Sequence, residues 1–261
     1  MYDFELIKPG TIGDAVAALA HSDAQALSGG QTLLPTMKQR LASPAVLVSL
    51  TGISEMQGVC LGDGGLHIGG ATPHAVVARE AAAHYPALAA LAGGIGDPAV
   101  RNRGTIGGSV ANNDPAACYP SAVLASGATV VTNLRRIAAD DYFRGMFTTA
   151  LKEGEIITEV QFPIPERGAY VKFDQPASRF ALTAVFVAKF ASGVRVAVTG
   201  ASNGGVFRWH DAEVALSADF SARAIAGLIV NPSGMIADLH GTPAYRANLV
   251  KVLTGRAVTA A

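Results

Sequence analysis

Two glycine-rich stretches hold small and polar residues of the kind that line sites for phosphate groups. The longer one reads Arg-Gly-Thr-Ile-Gly-Gly-Ser-Val-Ala-Asn-Asn-Asp-Pro from Arg103 to Pro115. Adjacent glycines such as Gly107 and Gly108 permit positive φ and let a ligand approach the main chain closely. Successive free N–H groups in such a turn form a concave site for an anion, typically a phosphate. For a lone Gly-Gly pair, a tight turn between two core elements would be the better explanation.

A second stretch of the same character lies far upstream, at Ser28-Gly29-Gly30-Gln31-Thr32. The pattern places it between a strand and a helix, so the N–H groups from Gly30 to Leu34 would face outward at a helix start, where the helix dipole favours an anion. Neither stretch contains a Walker Gly-Lys-Ser/Thr sequence or the Rossmann GxGxxG sequence. Two such loops in one chain predict two walls of one phosphate-containing site.

The segments around the first stretch alternate between strand and helix patterns. We expect strands at 4–8, 26–28 and 45–50, with helices at 11–20 and 33–41 between them. This β-α-β-α-β order predicts a small α/β lobe with partly parallel strands over residues 1–55.

The rest of the chain is α+β in pattern. Short strands flank the turn at 62–65, helices precede the second stretch, and a helix from Pro115 to Ser126 follows it. Pro163–Gly168 is a predicted boundary, so the middle lobe covers 56–165 and the last domain covers 166–261. That last domain is expected to contain three antiparallel strands followed by helices. The strands are predicted at 170–173, 182–190 and 194–199, and the helices at 221–228 and 242–253.

Composition excludes several classes of protein. Lys plus Arg and Asp plus Glu number 20 each, so no basic bias indicates nucleic acid or a membrane surface. Cys60 and Cys118 share no CxxC spacing and no clustered histidines, so we expect no metal site and two small buried side chains. No signal peptide and no apolar run of roughly 18 residues is evident, which favours a cytoplasmic protein. The low charged content of 15% favours burial of surface against another subunit.

Together the two stretches resemble a known family signature. Leu27-Ser-Gly-Gly-Gln-Thr-Leu-Leu-Pro35 and Thr105-Ile-Gly-Gly-Ser-Val-Ala-Asn-Asn-Asp114 are similar to the paired loops in the FAD-binding medium subunit of molybdenum hydroxylases, of the carbon monoxide dehydrogenase and xanthine dehydrogenase type. Gly-Glu-Ile-Ile-Thr-Glu-Val at 154–160, Phe162-Pro163 and Tyr170-Val-Lys-Phe173 match as well. The resemblance covers nearly the whole chain in the right order.

The resemblance implies an α+β fold and a specific cofactor site. The fold is a two-lobe (PCMH-type) FAD-binding unit followed by a three-stranded antiparallel sheet with helices, and FAD lies between the first two lobes. No catalytic and no metal-ligating residue is implied. The implied FAD-binding residues are Leu27, Ser28, Gly29, Gly30, Gln31, Thr32, Leu33 and Leu34 at the pyrophosphate, Thr105, Ile106, Gly107, Gly108, Ser109 and Asp114 on the other side, and Leu91 and Ile157 against the flavin or adenine. Gly30→Val and Gly107→Val are each expected to abolish FAD binding while leaving the fold largely intact.

Two positions depart from the family pattern. Many members carry an acid at the position of Cys118, and members often carry a lysine at the position of Asp174. Both departures concern polar contacts to the adenosine or ring portion of FAD rather than the pyrophosphate site, and Lys172 is a candidate substitute for the missing lysine.

The resemblance also implies a role in a larger complex. The chain would carry electrons through FAD from two [2Fe-2S] clusters of a small partner subunit to NAD, a quinone, a cytochrome or oxygen. A large partner subunit with a molybdenum–pterin cofactor would oxidise the substrate, and a dimer of heterotrimers is expected. Two alternatives stay open: a stand-alone FAD-dependent oxidoreductase, and a non-catalytic scaffold that has lost FAD.

Overall fold

The structure, a computed structural model, describes residues 1–261. Its first part is a three-stranded parallel sheet in the order β1-β3-β2 with two helices. Thr11 caps the first helix, because its Oγ1 accepts a hydrogen bond of 3.1 Å from the Asp14 N–H. The elements are β1 (Glu5–Ile7), α1 (Ile12–Leu19), β2 (Ala24–Leu27), α2 (Leu33–Lys38) and β3 (Val46–Ser49).

The middle part surrounds an antiparallel five-stranded sheet with short helices. The sheet order is β4-β5-β10-β6-β7, and β8 pairs with β9 in a separate hairpin. The elements are β4 (Val59–Gly62), β5 (Gly65–Gly69), α3 (His74–Glu80), α4 (Pro86–Gly93), α5 (Pro98–Arg103), α6 (Ile106–Asn112), α7 (Tyr119–Ser126), β6 (Thr129–Thr132), β7 (Arg136–Ala138), α8 (Ala139–Tyr142), β8 (Phe143–Gly145), β9 (Thr148–Thr149) and β10 (Ile157–Phe162).

The last part is an antiparallel four-stranded sheet in the order β11-β12-β13-β14, packed against two helices. The sequence predicted three of these strands, and the fourth is a two-residue strand. The elements are β11 (Arg167–Asp174), β12 (Ala181–Phe190), β13 (Gly193–Thr199), β14 (Phe207–Arg208), α9 (His210–Ala218) and α10 (Pro243–Ala260). No helix in the chain is long and apolar enough to cross a lipid bilayer.

The hydrophobic cores join these three parts. The largest core contains the middle helices together with Phe186 of β12 and Ala197 of β13. Tyr85 packs edge-on against Phe186, with 5.9 Å between the ring centroids. The small core of the first part includes Met56 and Ile156 from the middle part. The α+β fold class is therefore confirmed, and the three sheets are held in fixed positions around the space between them.

Three predicted elements differ from those observed. The helix after Pro115 begins only at Tyr119, because the Pro115 carbonyl accepts hydrogen bonds from Thr199 Oγ1 at 2.7 Å and Gly200 N at 2.6 Å and so cannot start a helix. The segment predicted as a helix at 221–228 forms only a 3₁₀ turn. The second glycine stretch was predicted as a turn, but most of it is helix α6.

Cys60 is also placed differently from its prediction. Its side chain is exposed on the edge strand β4, whereas Cys118 is buried as expected. Most of β4 is exposed at this edge of the sheet, with Cys60, Leu61 and Gly62 all open to solvent.

Candidate functional site

A cavity of about 630 Å³ lies between the first and middle parts of the chain. Both glycine stretches line it, and the loop between β11 and β12 reaches it through Ser178, Arg179 and Phe180. Residues from all three sheets or their connections therefore border one space. Its volume falls within the range of about 300–1,000 Å³ that is usual for cofactor sites.

The first glycine stretch presents unused hydrogen-bond donors. The backbone N–H groups of residues 29 to 33 have no acceptor within the protein. Gly30 has a φ of +70°, a left-handed conformation that glycine adopts without strain. Five successive free N–H groups beside a cavity form the kind of concave donor set that accommodates a phosphate or diphosphate. Helix α2 is only six residues long, so these donors matter more than its dipole.

The two stretches touch each other at one end of the cavity. Ser28 Oγ and Thr105 Oγ1 are hydrogen-bonded at 2.6 Å across 77 positions of sequence. Gly29 lies directly on the backbone of the second stretch, and a Cβ there would overlap the Arg103 carbonyl oxygen. The absence of a side chain at Gly29 therefore permits this close approach.

The second stretch does not form a phosphate nest, which corrects the interpretation of its glycines. The N–H groups of Ile106, Gly107 and Gly108 already donate to Thr72 O, Gly70 O and Thr105 Oγ1, at 3.2, 2.9 and 3.1 Å. Neither Gly107 nor Gly108 has a positive φ. Because these three N–H groups at the start of α6 already have acceptors in the protein, they are not available to a ligand.

Other groups of the second stretch remain available to a ligand. Three polar groups on this wall have no hydrogen-bond partner in the protein: the Thr105 N–H, the Ser109 hydroxyl and the Asn112 side-chain amide. All three residues line the cavity. Asp114 also lines it, while one of its oxygens accepts the Ala116 N–H at 2.8 Å. This wall thus offers mainly side-chain groups, in contrast to the backbone donors opposite.

Three residues of the predicted site lie outside the cavity lining. Leu91 and Ile106 are completely buried in the largest core, and Leu34 packs beneath the first stretch against Gly30. The cavity is lined by the other predicted residues, namely Leu27, Ser28, Gly29, Gly30, Gln31, Thr32, Leu33, Thr105, Gly107, Gly108, Ser109, Asp114 and Ile157.

Comparison with known proteins agrees with this geometry. Residues 2–165 match the family described as the FAD binding domain in molybdopterin dehydrogenase. The chain belongs to this family. It is 36% identical to the nicotine 6-hydroxylase medium subunit of Paenarthrobacter nicotinovorans, over 97% of this chain and 95% of that protein. It is 32% identical to the carbon monoxide dehydrogenase medium chain of Afipia carboxidovorans, over 98% and 95% of the two chains.

A solved structure shows the same fold over the full length. Carbon monoxide dehydrogenase from Hydrogenophaga pseudoflava, in a form that lacks the Mo-pyranopterin moiety, contains a chain that matches with a TM-score of 0.89 and 32% identity, covering 100% of this chain and 97% of that one. The family resemblance and the FAD cofactor are therefore confirmed. The chain is a medium, FAD-binding subunit of a molybdenum-dependent oxidoreductase.

The sequence interpretation missed several residues that line the cavity. Ile95, Ser178 and Phe180 come from loops whose approach to the glycine stretches follows only from tertiary packing. His74 also lines the cavity, and burial together with the nearby Arg101 guanidinium lowers the pKa of His74 to about 4. His74 is therefore a neutral group at neutral pH.

The two positions that depart from the family pattern meet at Lys172. Its ammonium donates to Gly94 O at 2.8 Å and to Arg179 O at 2.9 Å, and lies 2.7 Å from Asp174 Oδ1. Cys118 Sγ lies 4.0 Å away on the cavity lining. Burial raises the pKa of the Cys118 thiol, although Lys172 opposes that rise. Lys172 is therefore fixed between the middle part and the last sheet, beside a neutral thiol.

The residues present fit FAD as the bound group. The free N–H groups of residues 29 to 33 match a diphosphate, and the positive φ of Gly30 shapes the loop that presents them to the cavity. Apolar side chains such as Leu50, Ile95 and Ile157 line other parts of the cavity and suit aromatic rings. Neither Cys118 nor Asp174 removes any of these features.

Proposed function

We propose that this chain is the electron-transfer subunit of a heterotrimeric molybdenum hydroxylase. It would take electrons from [2Fe-2S] clusters of a small partner subunit and pass them to an external acceptor. A large subunit with a molybdenum–pterin cofactor would oxidise the substrate, and two heterotrimers would pair. The names of the similar proteins support this division, because they are medium subunits or chains of hydroxylases and dehydrogenases.

One observation carries the assignment of the cofactor site: the five successive N–H groups that lack protein acceptors beside the cavity. We assign them to the FAD diphosphate. Thr105, Ser109 and Asp114 would bind from the opposite wall, and Ile157 would contact a ring. When bound, FAD supplies reversible two-electron chemistry.

The remaining residues position the cofactor and shield it. His74 and Cys118 are both neutral and buried, so they present no charged acid or base to the cavity. Lys172 ties the β11–β12 loop to the segment after α4 and thereby holds Ser178–Phe180 over one end of the cavity. None of these residues needs to act as an acid or base on the organic substrate.

Visible absorption of the purified chain tests the cofactor assignment. Protein incubated with FAD and desalted is expected to show a bound-flavin spectrum with about one FAD per chain. A colourless protein would favour the alternative of a scaffold that has lost FAD.

Affinity purification of the tagged chain from its native host tests the assignment to a complex. Molybdenum and iron are expected to co-purify with two further polypeptides. A flavin-containing chain that is purified alone, and is reduced by an organic substrate without partners, would instead establish a stand-alone oxidoreductase.

A further inference from the structure

A buried arginine lies behind the cofactor cavity, in the last part of the chain. Arg246 is near the start of α10, only 2% of it is exposed, and it does not line the cavity itself. A cation at the start of a helix opposes the helix dipole, and burying its charge costs desolvation energy. An apolar side chain would fill the same space at lower cost, so the contacts of the guanidinium must account for the arginine.

The Arg246 guanidinium joins the ends of two neighbouring strands. Its Nη1 donates to Leu182 O at 2.5 Å and to Gly200 O at 2.6 Å. Leu182 is near the start of β12 and Gly200 directly follows β13, so the two strands are held together just beyond their last paired residues. Gly200 has a φ of +82°, and a Cβ there would lie 2.6 Å from the Ala181 carbonyl oxygen, so this close junction requires glycine.

The end of β13 holds the part of the cavity wall that follows the second glycine stretch. Gly200 N donates to Pro115 O at 2.6 Å. The Thr199 hydroxyl lies 2.7 Å from the same oxygen and 2.8 Å from Ala117 O. Ala117 lines the cavity together with residues 114, 116 and 118. The position of this wall therefore depends on where β13 ends.

The start of β12 holds a second part of the cavity lining. The segment 178–180 lines the cavity, and Leu182 follows it after a single residue. Because Arg246 binds Leu182 O and Gly200 O at the same time, it sets the distance between this segment and the wall at 114–118.

The charge of Arg246 is paired with an acid at the protein surface. Arg246 Nη2 lies 2.6 Å from Asp238 Oδ2, in the loop before α10. Asp238 Oδ1 accepts the N–H groups of His240 and Gly241 at 3.0 and 3.1 Å, which holds the carboxylate in place. Arg246 Nε is buried without a partner. The guanidinium is thus oriented toward the two carbonyl groups even though one of its donors stays unsatisfied.

We propose that Arg246 is a positioning residue for FAD binding. It holds two cavity-lining segments from behind, at the spacing that the cofactor requires, and Asp238 orients its guanidinium. This inference rests on the proposed placement of FAD in the cavity. It assigns to the last part of the chain a role in the cofactor site that its core packing alone would not give it.

Titration of the FAD-free, full-length chain with FAD tests the inference. Flavin fluorescence gives the Kd, and visible circular dichroism reports the surroundings of the bound flavin. Arg246→Met is expected to raise the Kd about tenfold and to change the dichroism, because the two cavity-lining segments lose their common anchor. Asp238→Asn should act in the same direction to a smaller extent, since asparagine keeps the Oδ1 contacts but removes the charge.

The matched control is Leu253→Ala on the same helix. Leu253 is 1% exposed in the core of the last part and does not line the cavity. This substitution should lower the urea midpoint, because it leaves a space in that core, while the Kd for FAD and the flavin dichroism stay at their wild-type values. The control therefore separates positioning of the cavity from general stability.

Thr199→Val tests the other end of the connection without disturbing Arg246. Valine keeps the shape of the side chain but removes the hydroxyl contacts with Pro115 and Ala117, so the Kd for FAD should rise. Folded Asp238→Asn and Thr199→Val proteins that both bind FAD as the wild type does would overturn the inference, as would an equal rise of the Kd in Leu253→Ala. A wild-type chain that binds no FAD would overturn the proposed function instead.

Discussion

Gly30 and Gly107 are similar in sequence but have different roles in the structure. Gly30 has a positive φ at the cavity, and a Cβ there would meet two side chains, Leu34 at 2.8 Å and Leu27 at 3.4 Å. Gly107 has an ordinary helical backbone, and a Cβ there would lie 2.5 Å from the Gly70 carbonyl oxygen. The first glycine shapes the donor loop, whereas the second allows α6 to pack on the end of β5.

The sequence predicted the same effect for a valine at either glycine, but the structure separates the two roles. Gly30→Val should abolish FAD binding and retain the fold, because the strain falls on a half-buried position in the loop beside the cavity, whose N–H groups would be reoriented. Gly107→Val should destabilise the fold itself, by about 1–3 kcal/mol or more, because backbone atoms must move. FAD content by absorption and urea unfolding of the FAD-free proteins measure the two effects.

The control for this comparison is Gly227→Val. Gly227 has no atom within 4 Å of a built Cβ and does not have a positive φ, so neither FAD content nor stability should change. Retention of FAD by a folded Gly30→Val protein would contradict the assigned diphosphate site. Unchanged stability of Gly107→Val would contradict the packing role.

Most of the residues that the sequence predicted for the site line the cavity, but the sequence did not show how they act. It marked both glycine stretches, because their composition is unusual and local. Nothing in the sequence distinguished Gly107 and Gly108 from Gly29 and Gly30. Nothing in it shows that the Gly70 and Thr72 carbonyl oxygens accept hydrogen bonds from the first N–H groups of α6. Those acceptors are distant in the chain, so this difference arises only from tertiary contacts.

At the scale of elements, the loop before β10 is held by one buried carboxylate. Glu155 accepts hydrogen bonds from Arg135 Nε at 3.0 Å, Thr132 Oγ1 at 2.7 Å and the Lys152 N–H at 2.8 Å. Arg135 also donates to Ala150 O at 2.6 Å. Since Glu155 and Ile156 line the cofactor cavity, this network fixes one of its walls.

This network predicts a specific pH dependence of stability. The Arg135 hydrogen bond, aided by Thr132 and the Lys152 N–H, lowers the pKa of Glu155 from 4.5 to about 2 in the folded protein. The carboxylate therefore contributes stability that is complete above pH 4.5 and is lost as the pH falls through about 2. Arg135→Met should lower the urea midpoint at pH 7, because a buried carboxylate loses its partner, and should weaken the loss of stability on acidification.

The neighbouring arginine supplies the control for this prediction. Arg136 donates to Gln161 on the exposed side of the sheet and does not contact Glu155. Arg136→Met should therefore keep the wild-type pH profile when urea midpoints are measured between pH 7 and pH 3. A profile for Arg135→Met that coincides with the wild-type profile would show that the network does not set the pKa of Glu155.

Elements were predictable where propensity and packing agree. Thr11 as a helix cap and the long strand β12 follow from local sequence. Helix α6 was missed because two glycines lower its helix propensity, and it exists because Thr105 caps it and the middle core covers it. The strand β14 was missed because a two-residue pair has no periodicity to detect.

At the scale of the whole molecule, the cavity depends on the relative positions of three sheets. The shared core at Tyr85 and Phe186 and the hydrogen bond between Ser28 and Thr105 set these positions. The sequence indicated three regions through changes of pattern and turn signals. It could not indicate that the β11–β12 loop reaches the cavity, because that contact depends on how the last sheet packs on the middle helices.

Ligand-dependent stability is expected to reflect the diphosphate contacts. FAD should raise the melting temperature, with about 2.7 kcal/mol of stabilisation when its concentration is 100 times its Kd. Riboflavin at the same concentration should raise it much less, because it lacks the diphosphate that the N–H groups of residues 29 to 33 would bind. Thermal unfolding in the presence of each ligand measures this difference, and equal shifts would mean that the ring alone supplies the affinity.

The contact between the two glycine stretches also orders events during biosynthesis. Ser28 and Thr105 are 77 positions apart, and Phe180, farther along, lines the same cavity. Closing so long a loop carries an entropic cost that only later packing offsets. Residues as far as Phe180 must therefore leave the ribosome before the whole cavity exists, so FAD is expected to bind after these segments have packed rather than to guide the early folding of the first part.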